Sequence, residues 1–210
     1  MRSQVVGLIA SLAVIAGCAH VGGRDAPCLP TFSRYRAAQF DWTSIRRILL
    51  MPLDNESAEP RAADEIRNAL AAVLQSTGRF EAVIAPLEAR LACSEAVRVG
   101  GRFDEAEMLE IAIQHQADAI LCGAVTQHRS YAPPRIGLSL RLVSTAEATV
   151  IASDDGLWDA GDEAIAEQAR CYHDQTATET PSLLGSEIIL ASPHLYRRFV
   201  CHAAVQALVR

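Results

Sequence analysis

Apolar positions along the chain follow two periods. At Ile48-Leu49-Leu50-Met51 and again at Ala119-Ile120-Leu121-Cys122 they are consecutive, the pattern of a strand covered on both faces. Between Arg135 and Trp158 they alternate, with Leu138, Leu140 and Leu142 on one face and Ser139, Arg141 and Val143 on the other. Residues 117–158 therefore read as one buried strand followed by a hairpin that turns near Thr145-Ala146-Glu147. Residues 80–84 read as a further strand, stopped by Pro86. Elsewhere the spacing is helical. Ile66, Leu70, Val73 and Leu74 form a stripe across residues 62–75, closed by Gly78 in a C-capping role. Met108, Leu109, Ile111, Ala112 and Ile113 give a broad apolar face to a helix opening at Asp104. Residues 159–170 read as a helix with an acidic start, and residues 172–185 as loop. Ser192 as N-cap and Pro193 at the first helical position open a last helix with Leu195, Phe199, Ala203 and Leu208 as its stripe.

The predicted order is βαβαβββ with extra C-terminal helices. Strand–helix–strand units imply parallel pairing with right-handed crossovers. The closing hairpin makes the sheet mixed. The expected class is thus α/β: a mixed sheet with helices packed on it.

Composition narrows the function. The chain has 210 residues, half of them hydrophobic, and a net charge of −6. That charge argues against nucleic acid, which favours a basic footprint. Aromatic residues make up only 5% of the chain, too few for a base-stacking surface. Residues 19–41 mix Gly, Pro, Arg and Ser and read as a tether, whose Phe32, Tyr35 and Phe40, with Trp42 just beyond it, either lie over the domain as a strap or bind a partner.

Candidate chemistry is sparse. Asp54, Asn55 and Glu56 follow the first strand, where open α/β sheets place ligands; the competing reading is a solvated turn whose Asp and Asn bond their own backbone. Asp154, Asp155, Asp159 and Asp162 either gather a cation or form an acidic hairpin end before a helix. His20, His115, His128, His173, His194 and His202 have no metal-ligand spacing. Arg197 and Arg198 face either an anionic surface or solvent. No Gly-x-Ser-x-Gly elbow, Walker loop or Gly-x-Gly-x-x-Gly is present. The expectation is a protein that is not an enzyme, with no cofactor and no metal.

At the N-terminus, Arg2 precedes an apolar run over residues 5–16, shorter than the about 20 residues that span a bilayer. It ends Ile15-Ala16-Gly17-Cys18, which resembles the lipobox of bacterial lipoproteins. The resemblance implies a signal peptide over residues 1–17, cleavage before Cys18 and acylation of that thiol with palmitate-type chains. With the length and patterning above, this gives a lipidated tether over residues 18–43 and a single domain over 44–210, extended by helices from about residue 159. Ala19 replaces the Asp that marks inner-membrane retention in many such proteins, which favours the outer membrane with the domain facing the periplasm. Of the remaining cysteines Cys28, Cys93, Cys122, Cys171 and Cys201, an odd number, at least one stays unpaired within the chain. Cys171 and Cys201, on two expected helices, are the preferred disulfide.

Four stretches carry a second resemblance: Ile48-Leu49-Leu50-Met51-Pro52-Leu53-Asp54-Asn55, the helix leading to Gly78-Arg79-Phe80, Gln116-Ala117-Asp118-Ala119-Ile120-Leu121-Cys122-Gly123-Ala124-Val125, and Leu140-Arg141-Leu142-Val143 with its following strand. Together they resemble an envelope superfamily that includes the curli-secretion lipoprotein, the amino-terminal domain of TolB and the lipoprotein activators of peptidoglycan synthases. The resemblance implies an α/β sandwich at the envelope, working by assembly or partner binding. The expected partners are the membrane, through lipid, and an envelope protein or a second copy. The alternatives are an oligomeric subunit of a curli-type secretion channel and an envelope enzyme of unknown chemistry.

Overall fold

The computed structural model describes residues 32–89, 104–176 and 185–209. Cys18, Cys28 and Cys93 lie outside them, as does the expected signal peptide.

One mixed sheet organises the domain. Its strands are β1 (Ser33–Arg36), β2 (Arg47–Leu50), β3 (Asp54–Asn55), β4 (Glu81–Ile84), β5 (Ala119–Arg129), β6 (Arg135–Ser144) and β7 (Thr149–Asp159). The order is β1-β7-β6-β5-β2-β4, with β3 continuing the line of β2 along β5. β2 pairs parallel with both β4 and β5, whereas β5, β6, β7 and β1 are antiparallel to one another. This is the α/β mixed sheet the periodicity predicts. Pro52 explains why β2 and β3 are separate: without an N–H it cannot continue the ladder. Pairing to β5 is held on either side by Met51 N–H to Leu121 O at 2.9 Å and Glu56 N–H to Val125 O at 2.9 Å.

The helices are α1 (Ala62–Ser76), α2 (Glu105–His115), α3 (Glu163–Thr176), the short α4 (Ile188–Ala191) and α5 (Pro193–Val209). The inner face of the sheet carries α1, α3 and α5 over a continuous core. There Ile48, Leu50, Leu121, Leu138, Leu140 and Leu142 meet Ile66, Leu70, Leu74, Phe199 and Leu208. The outer face has a smaller cluster of Leu49, Met51, Ile120, Cys122 and Val143 with Met108 of α2. Consecutive apolar residues in β2 thus face opposite layers, as two-sided burial requires. Gly78, at φ +65°, ends α1 as expected.

Two expectations need correction and a third is sharpened. Ser33–Arg36, placed in the tether, is one of the sheet's two edge strands, paired with Asp155 back to Ala152 of β7. The ordered domain therefore begins before residue 44. Phe32 anchors it, with its ring 4.8 Å from that of Trp158. Gly156 makes room: a Cβ there would stand 2.2 Å from the Phe32 ring. Next, α3 runs to Thr176 and takes Tyr172 out of the expected loop, because that ring packs on Phe199 and His202 of α5. Lastly, the broad apolar face of α2 is not buried as a whole. Only Met108 is buried, and Leu109 and Ile113 are 59% and 72% exposed.

Candidate functional site

The loop after β3 is shaped by Asn55. Its Nδ2 donates to Glu59 O at 2.8 Å, and its Oδ1 accepts from Ser57 N–H at 3.1 Å and Ser57 Oγ at 2.7 Å. This is the self-bonded turn that Asn favours, so Asn55 is spent on the loop itself. Asp54 is exposed beside it, and Glu56 points to a cleft of about 500 Å³.

The opposite wall comes from the end of the β5–β6 hairpin, with His128, Arg129, Tyr131 and Arg135. Arg129 donates through Nε to Pro133 O at 2.9 Å and carries its guanidinium 5.5 Å over the ring of Tyr131. Arg135 binds Asp159, which Arg129 also approaches at 3.8 Å. Burial pushes the Asp159 carboxyl up, but the Gly161 N–H and the Arg135 guanidinium outweigh this and hold it below its ordinary value. Burial lowers the pKa of His128, against Glu65, so the imidazole is neutral at pH 7. Both guanidiniums share the one negative charge of Asp159, which leaves a single positive charge against the two carboxylates of Glu56 and Glu59. Glu56 and Glu59 form no ion pair among the described residues, and counted with Asp159 the cleft carries one net negative charge. With the 74% exposed Tyr131, the arrangement offers acceptor oxygens and a flat apolar ring to a partner group.

The other sequence candidates do not converge here. Of the four aspartates, three lie on β7, where alternation separates Asp154 from Asp155 and Asp159, and Asp162 lies beyond the strand. Asp154 points inward and accepts from Arg34 Nε at 2.9 Å. Asp155 points outward to Arg141 at 2.9 Å. Asp162 caps α3 through Ala164 N–H. Among the described residues, no group of three or more His, Cys, Asp or Glu is placed to hold a metal. The expected Cys171–Cys201 bridge is not formed. Cys201 is buried against Ile66 O of α1, and burial pushes its thiol up to about 12. Cys171 is exposed on α3, with Glu167 as its neighbour. Two thiols on facing helices still point to different surroundings.

Sequence reading missed the Arg34–Asp154 pair and the wall formed by His128 and Tyr131. Ser33-Arg34-Tyr35-Arg36 is mostly polar, without period-two alternation, and carried no signal for β1. The wall had none either, since it is assembled by the hairpin's pairing.

No family model matches the chain, and no curated protein does. Solved structures do. The PelC dodecamer from Paraburkholderia phytofirmans is 15% identical with a TM-score of 0.53, covering 85% of this chain and 96% of that one. Lipoprotein GNA1162 from Neisseria meningitidis is 18% identical, TM-score 0.40, covering 63% of this chain and 97% of the other. The LpoB C-terminal domain from Salmonella enterica is 15% identical, TM-score 0.36, covering 56% and 98%. The likeness to PelC is one of fold and runs along most of the chain, in agreement with the α/β architecture that the lipoprotein resemblance implies.

Proposed function

We propose that the protein is a lipid-anchored assembly module of the bacterial envelope. Cys18 carries the acyl chains, the anchor sits in the outer membrane, and the α/β domain faces the periplasm. The domain works by binding protein, either a second copy or an envelope partner, rather than by catalysis. The observation that supports this most is the fold shared with PelC over 85% of the chain, since that protein was solved as a dodecamer. The Ile15-Ala16-Gly17-Cys18 signal adds the anchor. Acyl burial contributes about 0.8 kcal/mol per CH2.

Full-length wild type and Cys18→Ala, grown with labelled palmitate and separated into inner and outer membranes, test the anchor. Label on wild type alone, in the outer fraction, is expected; label on Cys18→Ala overturns it. Crosslinking in the native envelope, read by mass spectrometry, tests the partner. Products with itself or an envelope protein are expected, and a chain that yields none refutes the module. A secretion-channel subunit is the second reading, favoured by the same dodecameric neighbour. It requires rings in electron micrographs of the detergent-extracted lipoprotein, and a monodisperse monomer removes it.

A further inference from the structure

We propose that two opposite faces of this domain form one head-to-tail contact between copies: the exposed stripe of α2 on one copy seats in the groove between α1 and α5 of the next. This rests on the self-association half of the reading above.

The ridge is α2. Leu109 and Ile113 are four residues apart and so lie on one helix face, 59% and 72% exposed. Glu105 and Glu110 flank them, exposed and without an ion pair among the described residues. No Lys or Arg occurs in the helix.

The groove runs along α1 and α5 with a volume of about 390 Å³. Its floor is Ala69, Ala72 and Val73, short side chains that leave room for larger ones. Its rim is basic. Arg197 is neutralised by Glu65, but Arg198 is exposed and makes no ion pair among the described residues. Arg61, at the N-cap of α1, stands one turn before Glu65 and so just beyond the groove's lining; it is exposed and makes no ion pair among the described residues. An apolar ridge with acidic edges thus matches an apolar floor with basic edges, the arrangement that selects a partner and sets its register.

The occupant is a second copy because one chain carries both halves. They lie on opposite layers of the sheet, α1 and α5 on the inner face and α2 on the outer. One copy can use both at once. Such a heterologous contact repeats until the rotation closes a ring. In a ring of a dozen copies each turns by about 30°, which needs two nearly opposite contact faces.

The test uses the mature lipoprotein in detergent, with oligomer mass read by native mass spectrometry. One variant reverses the ridge, Glu105→Arg with Glu110→Arg. The other reverses the rim, Arg61→Glu with Arg198→Glu. All four side chains are exposed, and circular dichroism checks that both variants fold. Wild type is expected to assemble, each variant alone to be monomeric, and their equimolar mixture to assemble again in alternation. If wild type assembles and either variant alone still does, the contact is wrong while self-association stands. If the variants are monomeric and the mixture does not recover, the pairing is also wrong. If wild type itself is monomeric, self-association fails and the contact fails with it.

Discussion

Asp154 and Asp159 sit five positions apart on β7 and are shifted in opposite directions. Asp154 is fully buried on the inner face. Burial pushes its carboxyl up, and Arg34, which reaches only Oδ1, does not cancel the effect. Its Oδ2 has no partner among the described residues. Between the ordinary value of 3.8 and the raised folded value, the folded chain keeps a proton that the unfolded chain releases. The contribution of Asp154 to stability therefore falls as pH rises through that interval. Asp159 is the reverse: lowered below 3.8, it contributes stability that is lost as pH falls through its folded value. Asp154→Asn removes the first effect and leaves the second. Urea unfolding from about pH 3.5 to about pH 7 should show the variant gaining on wild type as pH rises, because the cost of a buried charge disappears. A difference that stays constant with pH contradicts this. Arg34 is half-exposed and can turn to solvent in the variant, so no second buried charge is stranded.

Elements differ in how far they could be read from the sequence. β2, β5, β6 and β7 were legible because two-sided burial and strict alternation leave strong period signals. α1 was legible because its stripe and Gly78 agree. β1 was not, since its four residues are mostly polar and its partner strand is about 120 positions away, as the Arg34–Asp154 bond illustrates. Of the polar loop Asp54, Asn55 and Glu56, which was legible, only Glu56 lines the candidate cleft. The facing wall depends on where the β5–β6 pairing delivers Tyr131. In α2, periodicity identified a helix but could not say which of five apolar residues faces the sheet. The structure assigns that role to Met108. Met108→Ala should cost about 2–5 kcal/mol as a cavity in the outer cluster. Ile113→Ser, at an exposed site, should stay within about 0.5 kcal/mol. Urea unfolding at concentrations where the chain is monomeric separates the two, and equal losses would mean that Ile113 is packed within its own chain.

At the scale of the whole molecule the two layers are unequal. The inner layer joins three helices to the sheet through one continuous core that includes fully buried Ile66, Tyr196 and Trp158. The outer layer holds α2 by Met108 and partly buried Ile111. Local opening follows buried apolar contact, so a helix held by so few groups opens at small cost while the core opens only with the whole domain. Native-state hydrogen exchange of the monomeric chain should therefore show α2 amides exchanging by local opening, insensitive to low urea. Amides of α1, α5 and the centre of β5 and β6 should exchange at the free energy of global unfolding, with its full urea dependence. Protection of α2 equal to that of α1 in the monomer would refute the unequal layering. The same inequality gives assembly its effect. A helix that its own chain holds loosely gains most from a neighbour, so on oligomerisation the protection of α2 should rise more than that of any inner-layer helix, by whatever free energy the contact supplies. An increase spread evenly over both layers would place the contact elsewhere on the domain.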